Sequence, residues 1–255
     1  MNDYCIYGDS IIFGPKFNKP LNDYVGSIKN CKKIIFSNYD DLEICIETNN
    51  EYVYKYNGEY KMSQFNKPLD NSLSNLTNLT HLTFSYNFNH PLNNSISNLI
   101  NLTHLTFSYY FNQPLLNSLS NLTNLTNLTF NYRFNQPLSN SLSNLKNLMH
   151  LTIGYDFNQP LELPLNIKIL SIDCNNLSLI ENLPNNIEEL YLDYNFNLEL
   201  NNLPNSIKKI KFKTSSKYDK ELNNLPKLLE LLELPKCYSL PINNINPRCK
   251  ITYCS

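Results

Sequence analysis

The stretch FNHPLNNSISNLINLTHLTFSYY, residues 88–110, is followed without a break by FNQPLLNSLSNLTNLTNLTFNYR, residues 111–133, and FNQPLSNSLSNLKNLMHLTIGYD, residues 134–156. A fourth copy, FNKPLDNSLSNLTNLTHLTFSYN, precedes them at 65–87. The Phe-Asn-x-Pro mark thus falls at Phe65, Phe88, Phe111, Phe134 and Phe157, in steps of 23 residues, and once more at Phe17, 48 residues before Phe65. Repetition at constant length is the signature of a solenoid, in which each repeat adds one structural unit that buries its apolar face against the next. Beyond Phe157 the unit shortens to a Leu-Pro form starting at Leu163, Leu183, Leu203 and Leu225, in steps of 20, 20 and 22 residues.

Both units contain an apolar residue, two variable ones, then apolar-x-apolar, as in Leu79-Thr80-His81-Leu82-Thr83-Phe84 and Ile187-Glu188-Glu189-Leu190-Tyr191-Leu192. Alternation of this kind is the period of a short strand with one face buried. A strand of three or four residues has no stability alone, so the strands are expected to stack laterally as a parallel sheet. Ser72-Leu73-Ser74-Asn75-Leu76 and its copies then form the return path, as a 3₁₀ turn or irregular arc, because Pro91, Pro114, Pro137 and Pro160 interrupt any longer helix. Asn89, Asn112, Asn135 and Asn158 occupy one fixed position after the strand, where their amides are expected to form an internal ladder beside a spine of Phe88, Phe111, Phe134 and Phe157.

The LxxLxL segment resembles the leucine-rich repeat, and the full unit is similar to the FNIP variety found in amoebae and in giant viruses. The resemblance runs from about Phe13 to Leu240. It departs from the ordinary leucine-rich repeat in one respect: the expected asparagine falls at Asn87, Tyr110, Arg133 and Asp156, which is not constant, and the fixed asparagine comes two positions later. The resemblance implies an α/β repeat solenoid, an arc with a concave parallel sheet and short convex segments, of about eleven or twelve rungs. Related repeat proteins carry ubiquitin-ligase modules; with repeats running from Phe13 to about Leu234, none is expected within these 255 residues.

The chain is read as one solenoid over 1–255. Residues 1–36 give an N-terminal cap and first rungs, 37–64 a degenerate rung with a hairpin, 65–161 the 23-residue repeats, 162–240 the shorter repeats and 241–255 a C-terminal cap. In the second segment Leu42–Thr48 and Tyr52–Tyr56 alternate, Asn49-Asn50 and Asn57-Gly58 are turn signals, and Tyr52, Tyr54 and Tyr56 share a face. They serve either to cap the solenoid or to contact a partner.

Outward residues fall into columns. The first runs His81, His104, Asn127, His150, Ile169, Glu189, Lys209, Leu231; the second Thr83, Thr106, Thr129, Thr152, Ser171, Tyr191, Lys211, Glu233; the third Ser85, Ser108, Asn131, Gly154, Asp173, Asp193, Lys213, Pro235. His81 and His104 on adjacent rungs, about 4.8 Å apart, lack a third ligand, so a polar surface position is expected rather than a metal site. Glu189, Asp173 and Asp193 face Lys209, Lys211 and Lys213 one rung on, as surface pairs or as a charged binding patch.

Composition sets the exclusions. Lys and Arg number 21 against 22 Asp and Glu, a net charge of −1, which excludes a globally basic nucleic-acid binder. Five glycines and no alanine among 255 residues disfavour a phosphate-cradling enzyme. Seven scattered cysteines without a CxxC pair read as free thiols. No signal peptide or membrane-spanning stretch is visible, so an intracellular location, in a host cytoplasm or virion for a viral chain, is expected. With no nucleophile–base arrangement in register, neither catalysis nor a cofactor is expected. The expected function is recognition of an unknown protein partner, of the host for a viral chain, by the concave residues His81, Thr83, His104, Thr106, His150, Glu189, Tyr191, Asp193, Lys209, Lys211 and Lys213. The alternative is a structural or self-assembling repeat protein, such as a virion or surface component.

Overall fold

The computed structural model describes residues 3–37, 42–48, 51–56, 61–138 and 141–254, with the side chains of 42–48 and 51–56 outside the description. Twelve strands form one sheet in the order β1 (Tyr4–Tyr7), β2 (Ser10–Phe13), β3 (Lys33–Phe36), β6 (His81–Thr83), β7 (His104–Phe107), β8 (Asn127–Phe130), β9 (His150–Ile153), β10 (Ile169–Ile172), β11 (Glu189–Leu192), β12 (Lys209–Phe212), β13 (Leu231–Leu234) and β14 (Lys250–Tyr253). Every neighbouring pair from β2 to β14 is parallel. The exception is β1, which pairs antiparallel with β2 through a tight turn at Gly8, whose φ of 57° lies in the left-handed region that glycine adopts without a Cβ clash. The segment 241–255, expected as a cap, contributes one more parallel strand, β14.

Each rung buries the same positions. In the rung ending at β7 these are Leu92, Ile96, Leu99, Leu102, Leu105, Phe107 and Phe111, all fully buried. The return path is a chain of successive turns, closed by i to i+3 bonds such as Leu99 N to Ile96 O and Leu102 N to Leu99 O, rather than a helix. Tight turns suit the leucine spacing of three, which puts the regularly repeated leucines on the inner side of the arc. Among the described residues only two convex arcs become helical, over Leu21–Ile28 and Leu177–Glu181.

Phenylalanines form two parallel columns inside the coil. Next to the strands, Phe84, Phe107 and Phe130 stack at 5.3–5.4 Å between centroids. Farther from the sheet, Phe65, Phe88, Phe111, Phe134 and Phe157 stack at 5.9–6.3 Å. On the outer face of the sheet, the His81 and His104 rings are 4.2 Å apart. Rung spacing therefore widens steadily from the sheet to the arc, and the sheet face is concave. The physical cause is the mismatch between hydrogen-bonded strands, held about 4.8 Å apart, and the larger thickness that the arcs and their phenylalanines require.

The asparagine ladder exists, but not inside the core. Asn66 Oδ1 accepts the Asn89 amide N–H at 3.0 Å, and the Asn89, Asn112 and Asn135 side chains accept the amides of Asn112, Asn135 and Asn158 at 2.9 Å. These residues are half-buried or exposed, so the ladder satisfies backbone donors along the rim where the chain leaves the sheet.

The degenerate rung expected over 37–64 is not a rung of the sheet, because β3 pairs directly with β6. Phe36 of β3 and Phe65 of its Phe-Asn-x-Pro turn are 29 residues apart, where Phe84 and Phe88 are four apart. The extra residues are an insertion within one otherwise regular rung. The turn resumes in place: Phe36 and Phe65 stack at 4.2 Å, and Asn18 Oδ1 accepts the Asn66 amide at 2.9 Å across the gap in sequence. Within the insertion, β4 (Leu42–Thr48) and β5 (Glu51–Tyr56) form a separate antiparallel hairpin with a register shift between Ile44 and Glu47. The turns at 49–50 and 57–58 and the facing of Tyr52, Tyr54 and Tyr56 lie outside the described residues. No described helix is long and apolar enough to cross a membrane.

Candidate functional site: the concave face

Parallel registers place the first two outward columns as the alternation requires: His81 opposite His104, His104 opposite Asn127, Asn127 opposite His150, Ile169 opposite Glu189 and Glu189 opposite Lys209. Thr83, Thr106, Thr129, Thr152, Ser171, Tyr191, Lys211 and Glu233 align beside them. The third column behaves differently. Ser85, Gly154 and Pro235 are buried, because the chain already bends inward after the strand, and the Ser85 and Ser108 hydroxyls donate to the carbonyls of Phe65 and Phe84. At Gly154 the Asn131 backbone approaches so closely that a Cβ would lie 2.2 Å from Asn131 O, so this rung leaves no room for the side chain that other rungs carry at the same position. Ser108, Asn131, Asp173 and Asp193 in the same column are half-buried, and Lys213 is exposed.

At the early end, His81 and His104 stack with their planes 7° apart. Their in-plane lone pairs consequently run parallel instead of converging on one ion. Thr80 Oγ1 donates to Lys32 O at 3.1 Å and lies 2.8 Å from His81 Nδ1. With its single proton used, this hydroxyl accepts from Nδ1–H, which assigns the lone pair of His81 to Nε2. Burial, then the His104 ring and Lys33, depress the His81 pKa to about 4. The His81 imidazole is neutral at physiological pH, and beyond Lys33 the first two columns of the early face carry Thr, Asn and His.

At the late end the charges are mostly consumed by one another. Lys209 Nζ lies 2.9 Å from Glu189 Oε2, Lys211 Nζ 2.5 Å from Glu233 Oε2 and Lys213 Nζ 2.8 Å from Asp193 Oδ1. Tyr191 Oη donates to the same Glu189 oxygen at 2.7 Å, and its ring lies 5.3 Å from the Lys209 ammonium. Burial raises the Glu189 pKa, but Tyr191 and Lys209 together outweigh it and hold the carboxyl below its usual range. In the neighbouring row Glu188 bridges Lys168 and Lys208 at 2.9 and 3.1 Å. Glu189, Tyr191, Lys209, Lys211 and Glu233 are thus brought together as one preorganised polar cluster. Asp193 and Lys213 sit at its rim, beside Asp173, whose carboxyl is raised by burial and accepts from the Asn195 backbone and side-chain N–H groups. His150 stands apart from the histidine pair, separated by Asn127.

A further column lies beside the three outward ones. Tyr86, Tyr109, Tyr132 and Tyr155, the constant tyrosine after each strand, stack at 4.6–4.8 Å along the rim of the concave face. The signal was the invariant Tyr of the repeat itself; what hid it was its position outside the strand, where alternation no longer assigns a face.

Comparison with known proteins agrees with this architecture. Residues 175–215 match the FNIP repeat model, a match in the shorter late rungs that includes Phe196-Asn197. Among solved structures, the chain is similar to CroV588, described as a novel circular leucine-rich-repeat protein and coming from a giant virus, with 24% identity and a TM-score of 0.62 over 99% of this chain. The chain spans 41% of that protein's length. Internalin C2 and a second internalin, both of Listeria monocytogenes, are 16% and 15% identical, over 80% and 96% of this chain and 80% and 86% of theirs, with TM-scores of 0.47. No curated protein sequence matches. The fold is a leucine-rich-repeat arc that contains an FNIP repeat.

Proposed function

We propose that the protein is a non-enzymatic recognition module whose concave face binds a folded protein. The leucine-rich-repeat fold commonly mediates such contacts, and one observation favours it here. On the late rungs the inward residues barely change, Leu170, Leu190, Ile210 and Leu232, while their outward neighbours run Ile169, Glu189, Lys209 and Leu231. Folding needs only the first set. Variation confined to the outward face is what a surface shaped for one partner requires, and rigid rungs lower the ordering cost of association. The half-buried pairs Lys209–Glu189 and Lys211–Glu233 add direction, since a partner must match both signs in register.

The test is capture from a cell lysate by immobilised protein, compared with the triple variant Tyr191→Ala, Lys211→Ala, Asp193→Ala. A defined protein lost by the variant supports the reading, and undiminished capture removes the concave cluster from the site. A second reading, edge-to-edge assembly, rests on β14, which pairs with β13 and leaves Ile251 and Tyr253 39% and 55% exposed. Sedimentation of the purified chain separates the two: a regular oligomer without a partner favours assembly.

A further inference from the structure

We propose that the tyrosine column at the rim of the concave face binds a proline-rich segment in the polyproline II conformation, running along the solenoid axis. This deepens the recognition reading above, on which it rests, by naming the chemistry of the partner. The key is the repeat distance. Tyr86, Tyr109, Tyr132 and Tyr155 stack at 4.7, 4.6 and 4.8 Å. Polyproline II advances about 3.1 Å per residue with three residues per turn, so one turn covers about 9.3 Å, close to two steps of the column. The same face of every turn therefore meets every second tyrosine. An extended β-strand, repeating every two residues at about 6.8 Å, does not stay in step. The commensurability depends on curvature: the phenylalanine column at 5.9–6.3 Å on the convex side would drift out of phase.

The surface has the chemistry as well as the spacing. Tyr110 stands nearly perpendicular to Tyr86 and Tyr109, at interplanar angles of 82° and 69°, which makes an aromatic notch at one end. Tyr110 and Tyr155 are 44% and 38% exposed, whereas the phenylalanine columns are closed to solvent. Arg133 backs the strip, its guanidinium 5.8 and 5.3 Å from the Tyr109 and Tyr132 rings and tied to Asp156 at 3.2 Å. A polyproline II chain leaves its carbonyls without internal partners, and tyrosine combines an apolar ring with a hydroxyl able to donate to them.

A cleft of about 350 Å³ runs beside the strip, from Tyr86, Tyr109 and Tyr132 to Asp173, Asp193 and Lys213. Asp173 and Asp193 against Lys213 leave one carboxylate in excess, which suits a single arginine at the end of the proline segment. Six rungs from Tyr86 to Tyr194 correspond to about eight residues of polyproline II.

The experiment uses the full chain and a fluorescent synthetic peptide of about nine residues, all proline except one terminal arginine, prepared with the arginine at either end. A Gly/Ser peptide of equal length and charge is the control. Fluorescence anisotropy is expected to show one proline peptide binding at least about tenfold more tightly than the control. The variant Tyr109→Ala, Tyr132→Ala, checked for intact folding by circular dichroism, is expected to lose about tenfold, and Tyr109→Phe, Tyr132→Phe, which keeps the rings, about threefold. Lys146→Ala, an exposed position on a return arc away from the strip, is expected to leave peptide binding unchanged. Equal binding of the Gly/Ser peptide, or undiminished binding by the folded double alanine variant, overturns the inference. If peptide binding fails while lysate capture still depends on Tyr191 and Lys211, the recognition reading stands and the proline segment does not; loss of both removes the reading itself.

Discussion

The early and late rungs share a backbone and differ in what stabilises them. From β6 to β9 each rung repeats almost unchanged, and identical side chains stack on themselves: phenylalanine inside, asparagine along the rim, tyrosine and histidine on the concave side. From β10 to β13 the inner aromatic column lapses at β10 and resumes as Phe196, Tyr218 and Tyr238, stacked at 6.1–6.2 Å, while on the concave face identical columns give way to opposite charges on neighbouring rungs. The difference teaches that a like-on-like column demands a constant sequence, whereas a charge pair demands alternation. The first region is built to extend, and the second can carry information.

Replacement of Phe111 by Ala breaks the early pattern most directly. The ring lies between Phe88 at 6.1 Å and Phe134 at 6.0 Å and against Phe107 at 4.1 Å, so the expected loss is about 4 kcal/mol in urea unfolding. A loss near 1 kcal/mol would mean that the coil closes around the vacancy.

Acid separates the regions next. His81, with its pKa depressed to about 4 by burial, stays neutral in the folded chain while the unfolded chain takes up a proton near pH 6.5. Stability is full above pH 6.5, falls as pH drops toward 4, and has no further slope from this group below that. Allowing for partial exposure, the loss is about 2 kcal/mol. His81→Gln should flatten this window. Glu188 and Glu189, held below the usual carboxyl range, lose their contribution only at lower pH, so Glu189→Gln should leave the window between 6.5 and 5 unchanged.

A smaller effect is expected at Asn112, which accepts from the Asn135 backbone and the Gln136 side chain. Because the site is half-buried and water can replace part of the bond, Asn112→Ala should cost about 1 kcal/mol. Amide exchange should locate the change at Asn135. Least of all, Lys211→Ala should move stability by about 0.5 kcal/mol or less, while still affecting partner capture. A large stability loss there would recast the late pairs as scaffold.

Legibility in the sequence tracked periodicity. The strands and the first two outward columns were readable because alternation assigns each residue a side as long as the backbone stays extended. It fails at Ser85 and Gly154, one position past the strand, where the chain turns inward. It also could not tell an inserted hairpin from a degraded rung, since both appear as lost repetition; the direct pairing of β3 with β6 separates them. Tyr86, Tyr109, Tyr132 and Tyr155 were visible as a repeat position but had no readable direction.

The sequence alone determined which strand residues of the 23-residue repeats go inward and in what register the rungs align, because a period of 23 with fixed leucines admits one alignment of neighbours. Only the tertiary structure decided the curvature and its consequences for the concave surface. Rung spacing is a compromise between strand hydrogen bonds on one side and stacked phenylalanines on the other. That compromise compresses the concave columns until histidines stack, lysines and carboxylates pair, and tyrosines fall into a step that matches a proline helix.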